Sequence, residues 1–132
     1  MRGFATNIEE KTRNNTTFRT VLYTGKHSQL VLMTLKPHEE IGLETHTDND
    51  QFFRIEIGQG QCIIDGTIHE LSDGIAVIVP AGASHNVINT SDIEDLKMYT
   101  IYSPAHHKDK IVHQTKKVAL SDDEEFDGMT SE

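Results

Sequence analysis

Polar and apolar residues alternate in short runs along most of this chain, and stripes spaced three and four residues apart are scarce. Alternation sends successive side chains to opposite faces of an extended backbone, so the pattern predicts half-buried strands rather than helices. Nine strands are predicted, at 18–24, 29–35, 44–46, 51–57, 61–64, 67–71, 76–79, 85–89 and 96–102. Many short strands at near-regular spacing point to an all-β sandwich or barrel. Asp65-Gly66, between two alternating runs, is a strong two-residue hairpin signal because a type I′ turn needs positive φ at both central positions. The apolar run 75–79 reads as a buried strand that Pro80-Ala81-Gly82 ends. Phe53, Ile55, Ile57, Ile64, Ile78 and Val87 form the predicted core.

The alternation stops near residue 103, which divides the chain into an N-terminal segment at 1–17, a β domain at 18–103, an extended or short helical arm at 104–120 and a tail at 121–132. The net charge is -9, but the tail holds six of the 21 acids and no base. The tail is therefore expected to be solvated and disordered, and the folded part to be only weakly acidic. No basic run offers a row of phosphate contacts and there is no Trp, so nucleic acid is not an expected partner. Neither a membrane helix nor a signal peptide is expected from the apolar runs, and the protein reads as cytoplasmic. Cys62 is the only cysteine, which excludes an internal disulfide and a multi-thiolate zinc site. Any metal must be held by nitrogen and oxygen.

Such donors are available at the right parity. Glu44 and His46 are two apart on a predicted strand and leave the same face. Gln51 shares a face with Phe53, Ile55 and Ile57, and His85 shares one with Val87 and Asn89. If those faces are the core, the four donors line one interior. A register with Thr45 inward would instead turn Glu44 to solvent.

Gly74, Pro80, Gly82, His85 and Asn89, with the spacing between them, match the second cupin motif, G-x5-P-x-G-x2-H-x3-N, at every fixed position. The first motif, G-x5-H-x-H-x3/4-E-x6-G, is matched only in outline: Gly58 sets the register, Gln51 falls at the Glu, His46 at the second His, Glu44 at the first His, and His38 at the opening Gly. The chain resembles a small single-domain cupin over about residues 20 to 102. The resemblance implies one jelly-roll β-barrel with a divalent metal inside, held here by Glu44, His46, Gln51 and His85. The family's usual three imidazoles and one carboxylate give a shell of charge −1, and this altered set gives the same charge. Two His and one carboxylate suit Mn, Fe, Ni or Zn. A second register, with His46 and Asp48 as the paired ligands, leaves Gln51 at the wrong distance.

Within cupins of this size the chain looks like those called mannose-6-phosphate isomerase-like, a likeness carried partly by 100–104 and the His and Lys pairs after it. The expected function is metal-dependent chemistry on a small oxygenated metabolite, of the sugar or sugar-phosphate isomerase kind. A cupin-type dioxygenase and a non-catalytic module for a small ligand or ion are the alternatives. Phosphate anchors are limited to Lys36, Arg54, Lys97, Lys108 and Lys110, and no general base is identifiable. Cys62 is expected to be buried and inert, His106 and His107 to lie on the surface, and Asn89 to serve a turn or ladder. A homodimer is expected because open sheet edges invite pairing, with the arm from Ser103 to Val118 crossing to the neighbour.

Overall fold

All nine predicted runs become strands in the computed structural model, which describes residues 1–132. They are β1 (Arg19–Thr24), β2 (Gln29–Leu35), β3 (Glu44–Thr45), β4 (Asp50–Ile57), β5 (Gly60–Ile64), β6 (Thr67–Leu71), β7 (Ala76–Val79), β8 (Ser84–Asn89) and β9 (Leu96–Ser103). Three elements are additional: α1 (Ile8–Asn14), β10 (Val112–His113) and α2 (Lys116–Leu120). Helix α1 starts at an N-cap, Asn7, whose side-chain oxygen accepts from the Glu10 N–H at 3.1 Å. Only Thr12 of that helix is buried, so it has no apolar stripe to announce it.

The strands form two antiparallel sheets. One holds six strands in the order β10-β1-β2-β9-β4-β7, the other four in the order β3-β8-β5-β6. Their inner faces meet in a single core that includes Val21, Val31, Met33, Leu35, Phe53, Ile55, Cys62, Val87, Leu96 and Met98. This is the jelly-roll architecture, and burial of those side chains is its main driving force. The β5–β6 hairpin turns at Asp65 and Gly66 with φ of 45° and 84°, the positive pair that a type I′ turn requires.

One expected core position is overturned. Ile78 is 67% exposed, because β7 closes the six-stranded sheet as an edge strand and buries only Val77 and Val79. Ile57 and Ile64 are half-buried. Within the arm, β10 pairs with β1 of the same chain and α2 is a short helix. The tail is not free of the domain. Glu124 accepts from the Lys108 N–H, Ser131 N donates to the Thr24 carbonyl, and Tyr23 donates to Glu132. Carboxylates that read as solvated find donors on the barrel. No helix is long and apolar enough to cross a membrane.

Candidate metal centre

Three of the four expected donors converge at one end of the barrel interior. Glu44 of β3 and His85 of β8 sit directly opposite each other in the ladder, so their side chains emerge on the same face. His46 follows β3 by one residue, and its carbonyl accepts from the Gly82 N–H at 2.8 Å. Gly82 has φ of 90°, a conformation that glycine adopts without strain, so the Pro80-Ala81-Gly82 loop fixes the segment carrying His46. Asp65, at the hairpin turn, accepts from Ser84 N at 2.8 Å and holds the start of β8 beside His85.

One ligand atom from each of Glu44, His46 and His85 lies within 4.8 Å of the other two, a cluster able to hold a metal ion. Bonds of about 2.1 Å would need these donors roughly 3 Å apart at right angles, so the cluster fits an ion after a small contraction. His46 Nε2 and Glu44 Oε2 are 3.1 Å apart, the ring N–H donating to the carboxylate. Burial works against ionisation of Glu44, but the His46 hydrogen bond and the charges around it, Arg19 among them, leave its carboxyl below the usual value. Burial lowers the basicity of His85. His85 Nδ1 lies 3.5 Å from the Ala83 carbonyl, a long bond in which the ring must donate. That tautomer leaves the Nε2 lone pair free, and Nε2 is buried without a partner.

The facing sheet contributes Gln51, buried on β4 between Val79 and Tyr102. Its Nε2 donates to Thr100 Oγ1 at 3.0 Å, which leaves Oε1 as a second buried acceptor without a partner. Asp48 is exposed, so the alternative register with His46 and Asp48 does not form a cluster.

Two histidines that read as surface residues close the centre, a correction that long-range hydrogen bonds explain. His107 is only 5% exposed and His106 is half-buried. Gln29 Oε1 accepts from the N–H groups of both, at 3.1 and 3.0 Å, and Asn49 Nδ2 donates to the carbonyls of Pro104 and Ala105. The His106 ring lies 4.2 Å from the His46 ring and stacks on Tyr102 at 5.2 Å between centroids. Burial, then the charges of His107 and His46, push its pKa down to about 4.

His107 Nδ1 lies 2.5 Å from a Glu124 oxygen, and its Nε2 lies 3.3 Å from the Tyr102 hydroxyl. A carboxylate only accepts, so the neutral ring donates through Nδ1 and the Tyr102 hydroxyl donates to Nε2. Burial raises the Tyr102 hydroxyl well above its ordinary value and keeps that proton in place. The one sequence signal for this enclosure was Gln29, an amide at the head of an apolar run, whereas Asn49 lies within the polar turn 47–50 and carried none.

The remaining candidate residues lie away from the centre. Cys62 is fully buried in the core, and burial pushes its thiol up to about 11, which makes it inert. Asn89 Nδ2 donates to the Leu35 and Glu94 carbonyls, tying a loop to β2. Of the phosphate anchors, Lys97 donates to the Arg13 and Asn15 carbonyls and Arg54 pairs with Glu56. Lys36, Lys108 and Lys110 are exposed. The largest open groove, about 510 Å³ between α1, β1 and β2, shares no residue with the cluster.

Comparison with known proteins agrees with this fold. The family model described as Cupin domain matches residues 31–102. The protein YrkC of Bacillus subtilis is 46% identical over 124 residues, covering 89% of this chain and 66% of that protein. The protein L612 of Acanthamoeba polyphaga mimivirus is also 46% identical, over 79% of this chain and 67% of its own length. The chain thus spans about two thirds of each. Both are uncharacterized. The crystal structure of BH2720 from Bacillus halodurans superposes with a TM-score of 0.89 at 41% identity, covering 92% of this chain and 96% of the other.

Proposed function

The chain belongs to the cupin family, and from that membership we propose that its interior site binds one divalent metal and acts on a small oxygenated metabolite. One observation carries the proposal. The lone pairs of His85 Nε2 and Gln51 Oε1 are buried without partners in a barrel that also brings Glu44, His46 and His85 together. Buried polar atoms are almost always satisfied in folded proteins, so two orphaned acceptors call for an electron-poor occupant. A bound Mn, Fe, Ni or Zn would supply Lewis acidity and, for iron, access to redox chemistry. Glu44, His46 and His85 would hold it, with Gln51 as a neutral fourth donor. Tyr102, His106 and His107 limit the site to a small partner and exclude bulk water.

Two reactions fit. In a sugar isomerase-like reaction a base of this chain must move a proton, and His106 is the nearest unligated imidazole. A general base works best with a pKa near the operating pH, and His106 is held at about 4. This favours the dioxygenase-like reading, which asks less of the side chains. A phosphorylated sugar is further disfavoured because the candidate anchors Lys97 and Arg54 are engaged elsewhere. A non-catalytic ion- or ligand-binding role is what remains if metal binds and neither reaction occurs.

The test is elemental analysis of protein purified without a metal-affinity tag, followed by titration with Mn, Fe, Ni and Zn. We expect about one ion per chain and, for His85→Ala, at least about tenfold weaker binding. Absence of any ion, together with no affinity for the four metals, would sink the reading. With metal bound, oxygen uptake and sugar interconversion separate the two reactions.

A further inference from the structure

The barrel interior contains one more polar anomaly, of the opposite sense. Arg19 opens β1 on the inner face shared with Val21, opposite Met33 of β2 and His113 of β10. It is 8% exposed. Its one side-chain hydrogen bond runs from Nη1 to His113 Nδ1 at 3.1 Å. A guanidinium only donates, so Nδ1 accepts and the imidazole proton sits on Nε2, which donates to Asp122 Oδ2 at 2.9 Å. His113 is thereby a neutral spacer, and Arg19 takes part in none of the chain's ion pairs. The Phe18 ring beneath the guanidinium, at 5.2 Å, engages its face and uses no N–H. Arg19 Nε is buried with no acceptor at all.

An always-charged side chain so deeply buried, without a carboxylate and with an idle N–H, is costly unless an anion completes it. Its charge acts on the site. Burial is the largest influence on Glu44, Tyr102, His107 and Glu124, and the Arg19 charge works on all four. The interior therefore presents two orphaned acceptors, His85 Nε2 and Gln51 Oε1, and one orphaned cationic donor. A cation alone satisfies only the acceptors.

We propose that Arg19 is the anion anchor of this site and that the metabolite it selects is a small carboxylate, such as a hydroxy or keto acid. The carboxylate pairs with the guanidinium fork while the neighbouring oxygen faces the metal donors. This assignment rests on the metal reading for the position of the second oxygen, while the anion contact stands on Arg19 alone. The closure by Tyr102, His106 and His107 sets the upper size of the acid.

The experiment is isothermal titration of the full-length protein, metal-free and zinc-loaded, with glycolate, pyruvate and inorganic phosphate. The wild type is compared with Arg19→Gln and Arg19→Lys, and zinc affinity is measured for each. Loss of a charge-assisted hydrogen bond predicts carboxylate binding weaker by about ten- to a hundredfold in Arg19→Gln. Zinc affinity should not weaken, because Arg19 is not a ligand and its removal takes a like charge away from the ion. If Arg19→Gln does not fold, Arg19→Lys decides: it keeps the charge but loses the fork, so weaker carboxylate binding supports the anchor and unchanged binding overturns it. Zinc binding without carboxylate binding, or phosphate binding alone, overturns the assignment and leaves the metal site standing. If zinc does not bind, the metal-free titration still decides for or against Arg19, and the metal reading falls only if Mn, Fe and Ni fail to bind as well.

Discussion

His85 and Gln51 approach the centre from different sheets, and each leaves one lone pair in a dry interior. The amide at position 51 is the telling difference from a carboxylate, because it adds a donor atom without a second negative charge beside Glu44. Gln51→Glu should therefore bind a divalent ion more tightly, by about tenfold or more, since a full charge replaces a dipole at contact distance. The same change should lower the melting temperature of the metal-free protein, because a buried carboxylate beside Glu44 is poorly solvated. Calorimetric titration and thermal melts check both halves; equal metal affinity would show that position 51 does not face the ion. Asp48 illustrates the limit of residue-level spacing. It shares the two-residue interval with His46 but is exposed, and only the ladder pairing of Glu44 with His85 decides between the registers.

At the scale of elements, the site depends on how closely β5, β8 and β9 pack. Gly60 opens β5, and a Cβ there would meet the Ile88 carbonyl of β8 and the Leu96 side chain at 2.9 Å. Backbone cannot yield as a flexible side chain does. Gly60→Ala should cost about 1–3 kcal/mol, the range for overpacking a tight interior, read from the urea midpoint. A cost near zero would mean that β5 and β8 are less closely apposed than described. The β5–β8 pairing also sets which face His85 occupies, since a slip of one residue would send it outward with Asn86 turned in. Strands such as β4, β7, β8 and β9 were legible through the period-two alternation that burial on one face enforces, whereas β2, buried almost throughout, and β6, exposed almost throughout, were legible as short runs between turn residues. Helix α1 was not, for its evidence was a capping residue and not an apolar stripe, and it packs against β9, β4 and β2. Burial alternates from Arg19 to Leu22, so parity puts Arg19 on the buried side with Val21, but no local signal says that it lacks a counter-ion there.

For the whole molecule, the arm and tail make the metal-free fold sensitive to acid. His106 has a pKa of about 4 in the fold, below its ordinary value, so between pH 6.5 and about 4 the unfolded chain binds a proton that the folded chain refuses. Stability is lost as pH falls through that window. Glu124 acts in the same direction lower down. Burial would raise its carboxyl, but the His107 ring and the Lys108 N–H outweigh burial and hold it at about 2. Its contribution is complete above the ordinary 4.5 and disappears as pH falls toward 2. Thermal melts of metal-free protein across this range should decline on acidification, with His106→Asn flattening the upper part and Glu124→Gln the lower. A flat profile for the wild type would contradict the enclosure of both groups.

Local pattern was enough to give the β class, the turns, the shared parity of Gln51 and His85 with apolar neighbours, and the exclusion of a multi-thiolate metal site. These are local consequences of alternation, of glycine and proline geometry and of composition, so they survive without knowledge of what packs where. Tertiary structure alone decided that Glu44 faces His85, that Ile78 lies on an open edge, and that His106 and His107 cover the centre. It also decided that Arg19 is buried without a counter-ion and that the acidic tail lies on the barrel. Each of those outcomes depends on partners tens of residues away, and a polar side chain chooses burial or solvent by the hydrogen bonds that distant segments offer it.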